Sequence, residues 1–314
     1  MRVFVIGASG TAGRATTQAL VNAGHDVVCF LRASSTFDLQ GTTRRNGDVT
    51  DANSIKNDGF CGEKFDAVVS CLASRSGSSK DAWQIDRQAH VLVLNAAQDA
   101  GVQQFVLMSA ICVQKPNLAF QHAKLAFEAT LIKSGLTYSI VRPTALFKSL
   151  SGQLDRLRAG KPFLVFGDGT LTACKPISDA DLGQFMAGCL TDPTRHNQVL
   201  PIGGPGPAIT PLDQAAALFD LLGKSVRIKH VPIAMMDFII ASLSIVGRVF
   251  PTLAAKADLA RIGRYYATES MLVWDGGDYN ADATPETGQD TLFEYYQTLI
   301  DQGASAERGE HSVF

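Results

Sequence analysis

A glycine-rich segment near the start of the chain constrains its fold most strongly. Gly7, Gly10 and Gly13 form a G-x-x-G-x-x-G pattern between the apolar run 2–6 and a stretch with helical spacing, 11–23. The first glycine permits a tight turn, the second lets backbone approach a pyrophosphate, and the third lets helix pack on strand. The amides at the helix start favour an anion. In this strand–loop–helix context the pattern predicts a dinucleotide-binding unit.

Apolar runs of strand length continue to alternate with helical stretches through the first half of the chain. Further strands are predicted at 26–31, 44–46, 66–71, 104–109 and 137–142, and helices at 82–100 and 120–134. Continuous apolar strands joined by helices are typical of a parallel sheet covered on both faces. The fold class is therefore α/β, a doubly wound, mostly parallel Rossmann sheet with a smaller, helix-rich C-terminal substrate region.

The alternation loosens after Pro143. Helices are predicted at 178–190 and 210–222, a strand at 198–202 could return to the main sheet, and the chain is helix-rich from Val231. The expected organisation is a Rossmann domain at 1–147 that 178–203 rejoins, a substrate-binding region at 148–177 and 204–302, and a frayed tail at 303–314.

Composition excludes several classes of function. The 314 residues carry 28 Lys and Arg against 30 Asp and Glu, so the net charge of −2 argues against a nucleic-acid-binding protein. Six cysteines without a C-x-x-C pair, and histidines without metal spacing, predict no metal site and a reducing compartment. The first strand begins at Arg2, with no targeting pattern ahead of it, so we expect a cytoplasmic, bacterial-like protein, or a mature form whose targeting piece has been removed.

The end of the second predicted strand indicates which nucleotide is bound. It reads Phe30-Leu31-Arg32, and no carboxylate follows until Asp38. A carboxylate there would bond the ribose hydroxyls of NAD, whereas the planar guanidinium of Arg32 can pair with a 2′-phosphate. Arg14, just after the glycine loop, could assist. The sequence therefore favours NADPH.

Cofactor contacts are predicted at the glycine loop and at the carboxyl ends of the strands, where such sheets bind ligands. Asp48 would flank the adenine, the segment from Cys71 would line the adenosine side, and Pro143 would lie near the nicotinamide. The predicted cofactor-binding residues are Gly7, Ser9, Gly10, Thr11, Gly13, Arg14, Arg32, Asp48, Cys71, Leu72, Ala73, Ser109, Lys124, Pro143 and Thr144.

The helix predicted at 120–134 departs from the usual short-chain dehydrogenase pattern. Those enzymes carry Y-x-x-x-K, in which the tyrosine protonates a carbonyl oxygen and the lysine holds the ribose. Here Lys124 is present, but Phe120 stands four residues earlier. The site therefore suits reduction of a carbon–carbon double bond, or a binding fold without catalysis. Lys124 is the candidate catalytic residue, holding the ribose and donating or relaying a proton.

Long segments of the chain resemble a known family. The chain resembles atypical short-chain dehydrogenase/reductases, and more closely the NADPH-dependent divinyl chlorophyllide 8-vinyl reductases, which share the missing tyrosine. The segments that carry this resemblance are 69–77, 80–83, 107–116, 123–128, 138–150, 166–169, 174–178, 200–206 and 265–271.

The resemblance implies NADPH-dependent reduction of the 8-vinyl group of divinyl chlorophyllide a, or of protochlorophyllide, to ethyl in chlorophyll or bacteriochlorophyll synthesis. We expect the protein in the cytoplasm of a phototrophic bacterium, as a monomer or weak homo-oligomer with a tetrapyrrole substrate. Residues that could contact the pigment are Phe147, Lys148, Phe166, Lys175 and Met235.

Two questions stay open at this level. The apolar stretch 235–249 could line the pigment cleft, belong to the core or contact a membrane surface, and cleft or core is favoured. The rival functions are a non-catalytic NADP-sensing regulator on the same fold, and an NADPH reductase of another conjugated alkene or a quinone.

Overall fold

The computed structural model describes residues 1–248 and 250–303. Its strands are β1 (Arg2–Ile6), β2 (Asp26–Leu31), β3 (Thr42–Asn46), β4 (Ala67–Ser70), β5 (Gln104–Met108), β6 (Thr137–Pro143), β7 (Phe163–Phe166), β8 (Gln198–Ile202), β9 (Ile228–Val231), β10 (Val273–Trp274) and β11 (Tyr279–Asn280). Its helices are α1 (Thr11–Asn22), α2 (Ala52–Ser54), α3 (Ser79–Ala82), α4 (His90–Asp99), α5 (Ala119–Ile132), α6 (Phe147–Leu150), α7 (Leu154–Arg158), α8 (Asp179–Gly188), α9 (Pro211–Leu221), α10 (Ile233–Gly247), α11 (Pro251–Thr268) and α12 (Leu292–Asp301).

Seven strands form one sheet in the order β3-β2-β1-β4-β5-β6-β8. The pairs from β3 to β6 are all parallel. The doubly wound sheet is confirmed, as is the return of 198–202 to its edge. The weak third strand begins at Thr42, two residues before its predicted start. Because the strands run in parallel, the segments that follow β1, β2, β4, β5 and β6 emerge at one edge.

Two compact units make up the chain. The first comprises residues 1–74, 80–143 and 179–201, and the second comprises 75–79, 144–178 and the residues from 202 onward. The sequence-based boundaries after residues 147, 177 and 203 stay a prediction for the division between cofactor and substrate regions.

Aromatic side chains dominate one side of the first unit's core. The ring of Phe4 stacks on that of Phe60 at a centroid distance of 4.4 Å and meets Phe65 edge-on at 5.3 Å. Burying each such ring contributes roughly 1.5–3 kcal/mol. Helices α1 and α8 approach closely because Gly183 has no side chain: a Cβ there would lie 2.6 Å from the carbonyl carbon of Ala15. The absence of a side chain at Gly183 thus allows dense packing between these two helices.

The second unit has its own core, in which α9, α12 and β7 contribute buried side chains such as Leu218 and Phe163. Tyr296 is fully buried there, and its hydroxyl donates to the carbonyl of Leu150 at 2.9 Å. Strands β7 and β9 pair in parallel as a separate small sheet. This small sheet was not predicted from the sequence, because β7 is an apolar run of only four residues and β9 includes the exposed polar residues Lys229 and His230.

The helix predicted at 82–100 contains an irregularity that sequence patterning does not show. It begins as α3, winds as a π-helix over Trp83–Ala89 and continues as α4. A second π-helical turn covers Ile55–Phe60. The wider turn shifts the following side chains around the helix axis, and such turns are frequent at functional sites. Here it carries Asp86, which is 1% exposed.

The apolar stretch 235–249 falls mainly in α10, a helix that leaves much of its surface exposed. Phe238 is 73% exposed and Ile245 is 65% exposed. The interpretation of this stretch as core is therefore wrong for that face of the helix. Val249 lies outside the described residues, and so does the predicted frayed tail beyond Gly303.

Candidate cofactor site and active site

The three loop glycines are present for different reasons. Gly7 has φ +78°, and a Cβ there would lie 2.5 Å from the carbonyl carbon of Cys71. A Cβ on Gly13 would lie 2.0 Å from the Gly7 carbonyl oxygen. The fold itself therefore requires both. A Cβ on Gly10 would meet that same oxygen at 3.6 Å, an ordinary contact, so packing gives no reason for glycine there. The absent side chain instead leaves room for a ligand against the backbone, as a dinucleotide loop requires.

Helix α1 starts directly after Gly10 and presents Thr11 in its first turn. The N-cap residue is Gly10, which has no side chain to occupy this helix end, and the positive end of the helix dipole favours an anion there. The carbonyl oxygen of Ser9 accepts a hydrogen bond from the Nε of Arg14 at 3.0 Å, which ties the loop to the helix it precedes. These features fit the pyrophosphate of a nicotinamide dinucleotide.

Two arginines occupy the positions predicted for nucleotide selection. Arg32 is exposed directly after β2, and the guanidinium of Arg14 lies over the Phe37 ring at 5.0 Å. Arg44, which the sequence analysis missed, holds the intervening loop by donating from Nη2 to the carbonyl oxygen of Ser35 at 2.6 Å and from Nη1 to that of Phe37 at 3.2 Å. A cation on an anchored loop suits a 2′-phosphate.

The predicted adenosine side lies on the loops after β3 and β4. The carboxylate of Asp48 accepts bonds from the hydroxyl and the amide of Thr50, and these bonds lower the pKa of Asp48. Cys71 is buried beside Thr16, and burial raises the pKa of its thiol to about 11, so the thiol stays protonated at neutral pH. Leu72 and Ala73 are half-buried.

Lys124 lies on α5 and forms a buried ion pair. Lys124 is 8% exposed, and its Nζ lies 3.2 Å from Oδ1 of Asp86. Asp86 also accepts the hydroxyl of Ser74 at 2.6 Å and the Ser74 amide at 3.3 Å. A carboxylate with three donors fixes the position of the ammonium group. Phe120, four residues earlier on the same helix, is half-buried and has no hydroxyl.

His90, on the helical turn after Asp86, is a buried neutral base. Its Nδ1 lies 2.9 Å from the Ile85 carbonyl oxygen, which can only accept, so the proton is on Nδ1 and Nε2 accepts from the Ser70 hydroxyl at 2.8 Å. Burial, followed by the charge of Lys124, lowers the pKa of His90 to about 4. The Ser70 oxygen in turn accepts the Leu72 amide at 3.3 Å. This network therefore fixes the loop predicted to line the cofactor.

Glu128 lies one turn after Lys124 and organises the ends of β5 and β6. Ser109 donates its hydroxyl to this carboxylate, and Arg142 pairs with it through two nitrogens. Together with Gln121, which is fully buried, Lys124 and Glu128 form a buried polar stripe on α5. The Ser109 hydroxyl proton is thus engaged by Glu128, which leaves an acceptor position for a ligand.

Several predicted residues lie in the second unit or at its start. Thr144 follows Pro143 at the end of β6, and its hydroxyl donates to the Lys175 carbonyl. The Nζ of Lys175 bonds Glu286 at 2.5 Å. Phe147 belongs to the second unit's core. Lys148 and Phe166 are half-buried, and Met235 is 48% exposed in the first turns of α10.

Three buried polar residues near Lys124 were not predicted from the sequence. Asp86, His90 and Glu128 each belong to a four-residue spacing on a helix, Asp86 with His90 and Lys124 with Glu128. Polar pairs at this spacing inside apolar helices were the available signal. On sequence alone such a pair is indistinguishable from a solvated surface pair, because burial decides the difference.

Comparisons with known proteins agree with this geometry. Residues 7–193 match a family model described as NAD(P)H-binding. An NADPH-dependent quinone oxidoreductase of Escherichia coli, solved with NADPH, superposes with a TM-score of 0.69 at 21% identity, covering 96% of this chain and 100% of that one. Fold and site therefore define an NAD(P)H-binding protein of the atypical short-chain dehydrogenase/reductase class.

Relatives of higher identity narrow this class. The chain is 46% identical to the chloroplastic divinyl chlorophyllide a 8-vinyl-reductase of Cucumis sativus, over 99% of this chain and 79% of that protein. It is 45% identical to the protein of that name from Arabidopsis thaliana, with the same coverage. The chain belongs to the divinyl chlorophyllide a 8-vinyl-reductase family.

Proposed function

We propose that this protein reduces the 8-vinyl group of a divinyl chlorophyllide to ethyl, with NADPH as the reductant. The observation that carries the proposal beyond family membership is the buried Lys124–Asp86 pair one helical turn from the Phe120 ring. This site offers a fixed ammonium group without a tyrosine hydroxyl. Such an arrangement suits an alkene better than a ketone, because no carbonyl oxygen has to be protonated during the hydride step.

The reaction adds a hydride and a proton across one carbon–carbon double bond. NADPH bound at the glycine loop would supply the hydride. The charge that develops on the substrate spreads over the conjugated macrocycle, so the protein's main contribution is positioning. Lys124 Nζ carries the proton for the second vinyl carbon, directly or through one water, and is reprotonated from solvent.

Asp86 acts on this step by holding Lys124 rather than by touching substrate. The hydroxyl and amide of Ser74 and the Nζ of Lys124 all donate to the Asp86 carboxylate and keep it in one orientation. The carboxylate in turn keeps the ammonium group in place. His90 stays neutral and fixes Ser70 and the loop after β4. We assign these two residues positioning roles in cofactor and lysine geometry.

The choice of NADPH over NADH rests on Arg32, with Arg14 as its partner. Arg32 is exposed, and no ion pair or hydrogen bond of its side chain occurs within residues 1–248 and 250–303. A guanidinium in this position can bond a 2′-phosphate without first breaking an internal contact.

Side chains of the second unit are the candidates for contact with the pigment. Lys148 and Phe166 are half-buried and can offer a cation and a ring to a flat tetrapyrrole with one carboxylate. Phe147 and Lys175 are engaged in core packing and in the Glu286 ion pair, so we expect them to support these contacts from behind.

The cellular setting completes the proposal. We place the protein in the cytoplasm of a phototrophic bacterium, as a monomer or weak homo-oligomer with peripheral membrane contact. Sedimentation velocity at micromolar concentration tests the oligomeric state, and fractionation of the source cells tests the compartment.

The experiment that tests the reaction incubates purified protein with NADPH and divinyl chlorophyllide a and follows the pigment by chromatography. We expect the monovinyl product, with NADH much less effective, and a parallel incubation with divinyl protochlorophyllide establishes the preferred ring. Tight NADPH binding without product would indicate the regulator instead. NADPH oxidation with small quinones or alkenes, but not with pigment, would indicate the other reductase.

A further inference from the structure

Helix α10 is apolar on both of its faces. One face packs on α11: Met236 is buried, Ile240 and Leu243 are half-buried, and a Cβ on Gly247 would lie 2.8 Å from the Ala254 amide nitrogen. The opposite face is exposed and nearly as apolar. Its exposed large side chains are Met235, Phe238, Ile239, Ile245 and Val246. A helix at a water-facing surface normally alternates an apolar with a polar face, so this second face calls for an apolar environment.

The polar side chains of α10 are satisfied within the helical hairpin. Ser242 donates its hydroxyl to the Phe238 carbonyl at 2.8 Å, and Ser244 donates to the Ile240 carbonyl. Asp237, the one charged residue of the helix, pairs with Arg264 of α11. Little on this helix therefore depends on water for hydrogen bonding, which is the condition for contact with hydrocarbon.

Charge around the hairpin has the opposite sign to the whole chain. Residues 224–269 contain seven Lys and Arg against three Asp and Glu, a net charge of +4, while the full chain carries −2. Asp237 and Asp258 are neutralised by arginines of α11. Lys229, Arg248 and Lys256 are exposed, and none of them takes part in an ion pair within the described residues. These three cations flank the apolar face and complement an anionic surface.

A bilayer surface accounts for both properties, whereas a bilayer crossing does not. Within residues 1–248 and 250–303, no helix has the length and hydropathy needed to cross a membrane. The 15 residues of α10 extend about 22 Å at the usual rise per residue, which suits a helix lying in the plane of the interface. Exposed cations next to such a helix add attraction to anionic headgroups.

We infer that the α10–α11 hairpin docks on the surface of a bilayer that contains anionic lipid. Phe238 and Ile245 enter the region between headgroups and acyl chains, and Lys229, Arg248 and Lys256 contact the headgroups. This surface gives a physical basis to the peripheral membrane contact named in the proposed function. The inference rests on the proposed function for that contact alone. It also assigns Met235, on the same face, to lipid rather than to pigment.

The test is flotation of the purified full-length protein with vesicles of phosphatidylcholine alone or with roughly 30% phosphatidylglycerol, an anionic content at which exposed cations add measurable attraction. We expect binding to the anionic vesicles that weakens in high salt. Phe238→Ser and Ile245→Ser should each lower the partition coefficient on the order of tenfold, because each removes a large apolar side chain from the interface. Lys256→Gln should weaken binding to anionic vesicles alone.

Ile132→Ser is the matched control, since Ile132 is a similarly exposed aliphatic residue at the end of α5, 44% exposed. It should leave vesicle binding unchanged. Absence of wild-type binding to any vesicle, or equal losses for Ile132→Ser and Ile245→Ser, overturns the inference. Loss of a dimer in sedimentation velocity on Phe238→Ser, without vesicle binding by the wild type, also overturns it and assigns the face to a second copy. None of these outcomes bears on pigment reduction, because the pigment assay contains no vesicles.

Discussion

Helices α5 and α10 depart from ordinary helix patterning in opposite directions. Helix α5 buries polar side chains, with Gln121, Lys124 and Glu128 all under a tenth exposed. Helix α10 exposes large apolar ones, with Phe238 and Ile245 more than three-fifths exposed. Each departure costs free energy in water unless something compensates for it. On α5 the compensation is internal, through Asp86, Arg142 and Ser109. On α10 we assign it to an external apolar phase.

This contrast separates two kinds of functional information. A buried polar network is complete within the fold, so its purpose is to hold a group in position for chemistry. An exposed apolar face is incomplete, so its purpose involves another phase or molecule. Substitutions on each helix can test whether α5 is satisfied within the protein and α10 is not.

The largest effect is expected at Lys124. Lys124→Ala should lower kcat for pigment reduction about a thousandfold, the range typical of losing a positioned proton donor. The Kd for NADPH should rise much less, because the glycine loop and Arg32 remain. Steady-state kinetics together with nucleotide titration measure both. Turnover equal to wild type would remove Lys124 from the mechanism and reduce the buried stripe to a structural feature.

Breaking the ion pair from the other side should destabilise the fold. Asp86→Asn leaves the Lys124 ammonium buried without its carboxylate and should lower the free energy of unfolding by about 3–5 kcal/mol in urea titrations. Adding Lys124→Met to that variant should recover part of the loss, because no charge then remains unpaired. If the losses of unfolding free energy in the two single variants simply added up in the double variant, Asp86 and Lys124 would not interact.

Protonation of His90 should make stability depend on pH. Its pKa in the folded protein is about 4, below the ordinary value of 6.5, so the neutral form is the stable one in the fold. This contribution is complete above pH 6.5 and is lost as the pH falls towards 4, by about 3 kcal/mol in total. Urea titrations between pH 7 and pH 4.5 should show the fall, and His90→Gln, which does not titrate, should show a shallower one. If stability fell equally with pH in the wild type and in His90→Gln, a group other than His90 would take up the proton.

A smaller effect is expected on nucleotide selection. Arg32→Ala should raise the KM for NADPH roughly tenfold or more, because one charge-assisted bond to phosphate is lost, and should leave the KM for NADH nearly unchanged. Arg32→Lys keeps the charge and loses the planar fork, so its KM for NADPH should lie between those of the wild type and Arg32→Ala. An equal rise for both nucleotides would mean that Arg32 does not contact the 2′-phosphate.

The smallest effect is expected on the stability of α10. Phe238→Ser should change the free energy of unfolding by less than about 0.5 kcal/mol, because the side chain packs little in the folded protein. A loss comparable to that of a core substitution would show that this face is covered within the protein. It would then resemble α5 in being internally satisfied, and the contrast between the two helices would disappear.

Much of this protein follows from its sequence. The strand–loop–helix setting of Gly7 and the alternation of apolar strands with helices, which predicts a parallel sheet, both depend on short-range patterns that a sequence displays directly. The position of Lys124 on its helix, with Phe120 one turn before it, is likewise a local spacing. The family resemblance rested on such segments and was confirmed by the relatives.

Only the tertiary structure decided which of these residues are buried together. Asp86 and Lys124 are 38 residues apart in sequence, and Asp86 lies on a π-helical turn that no local sequence pattern indicates. The apolar stretch of α10 favoured core or cleft on sequence alone, whereas in the described structure only one face of the helix packs on α11 and the opposite face is exposed. Periodicity is a local property that sequence determines, whereas burial depends on what distant segments place on each face.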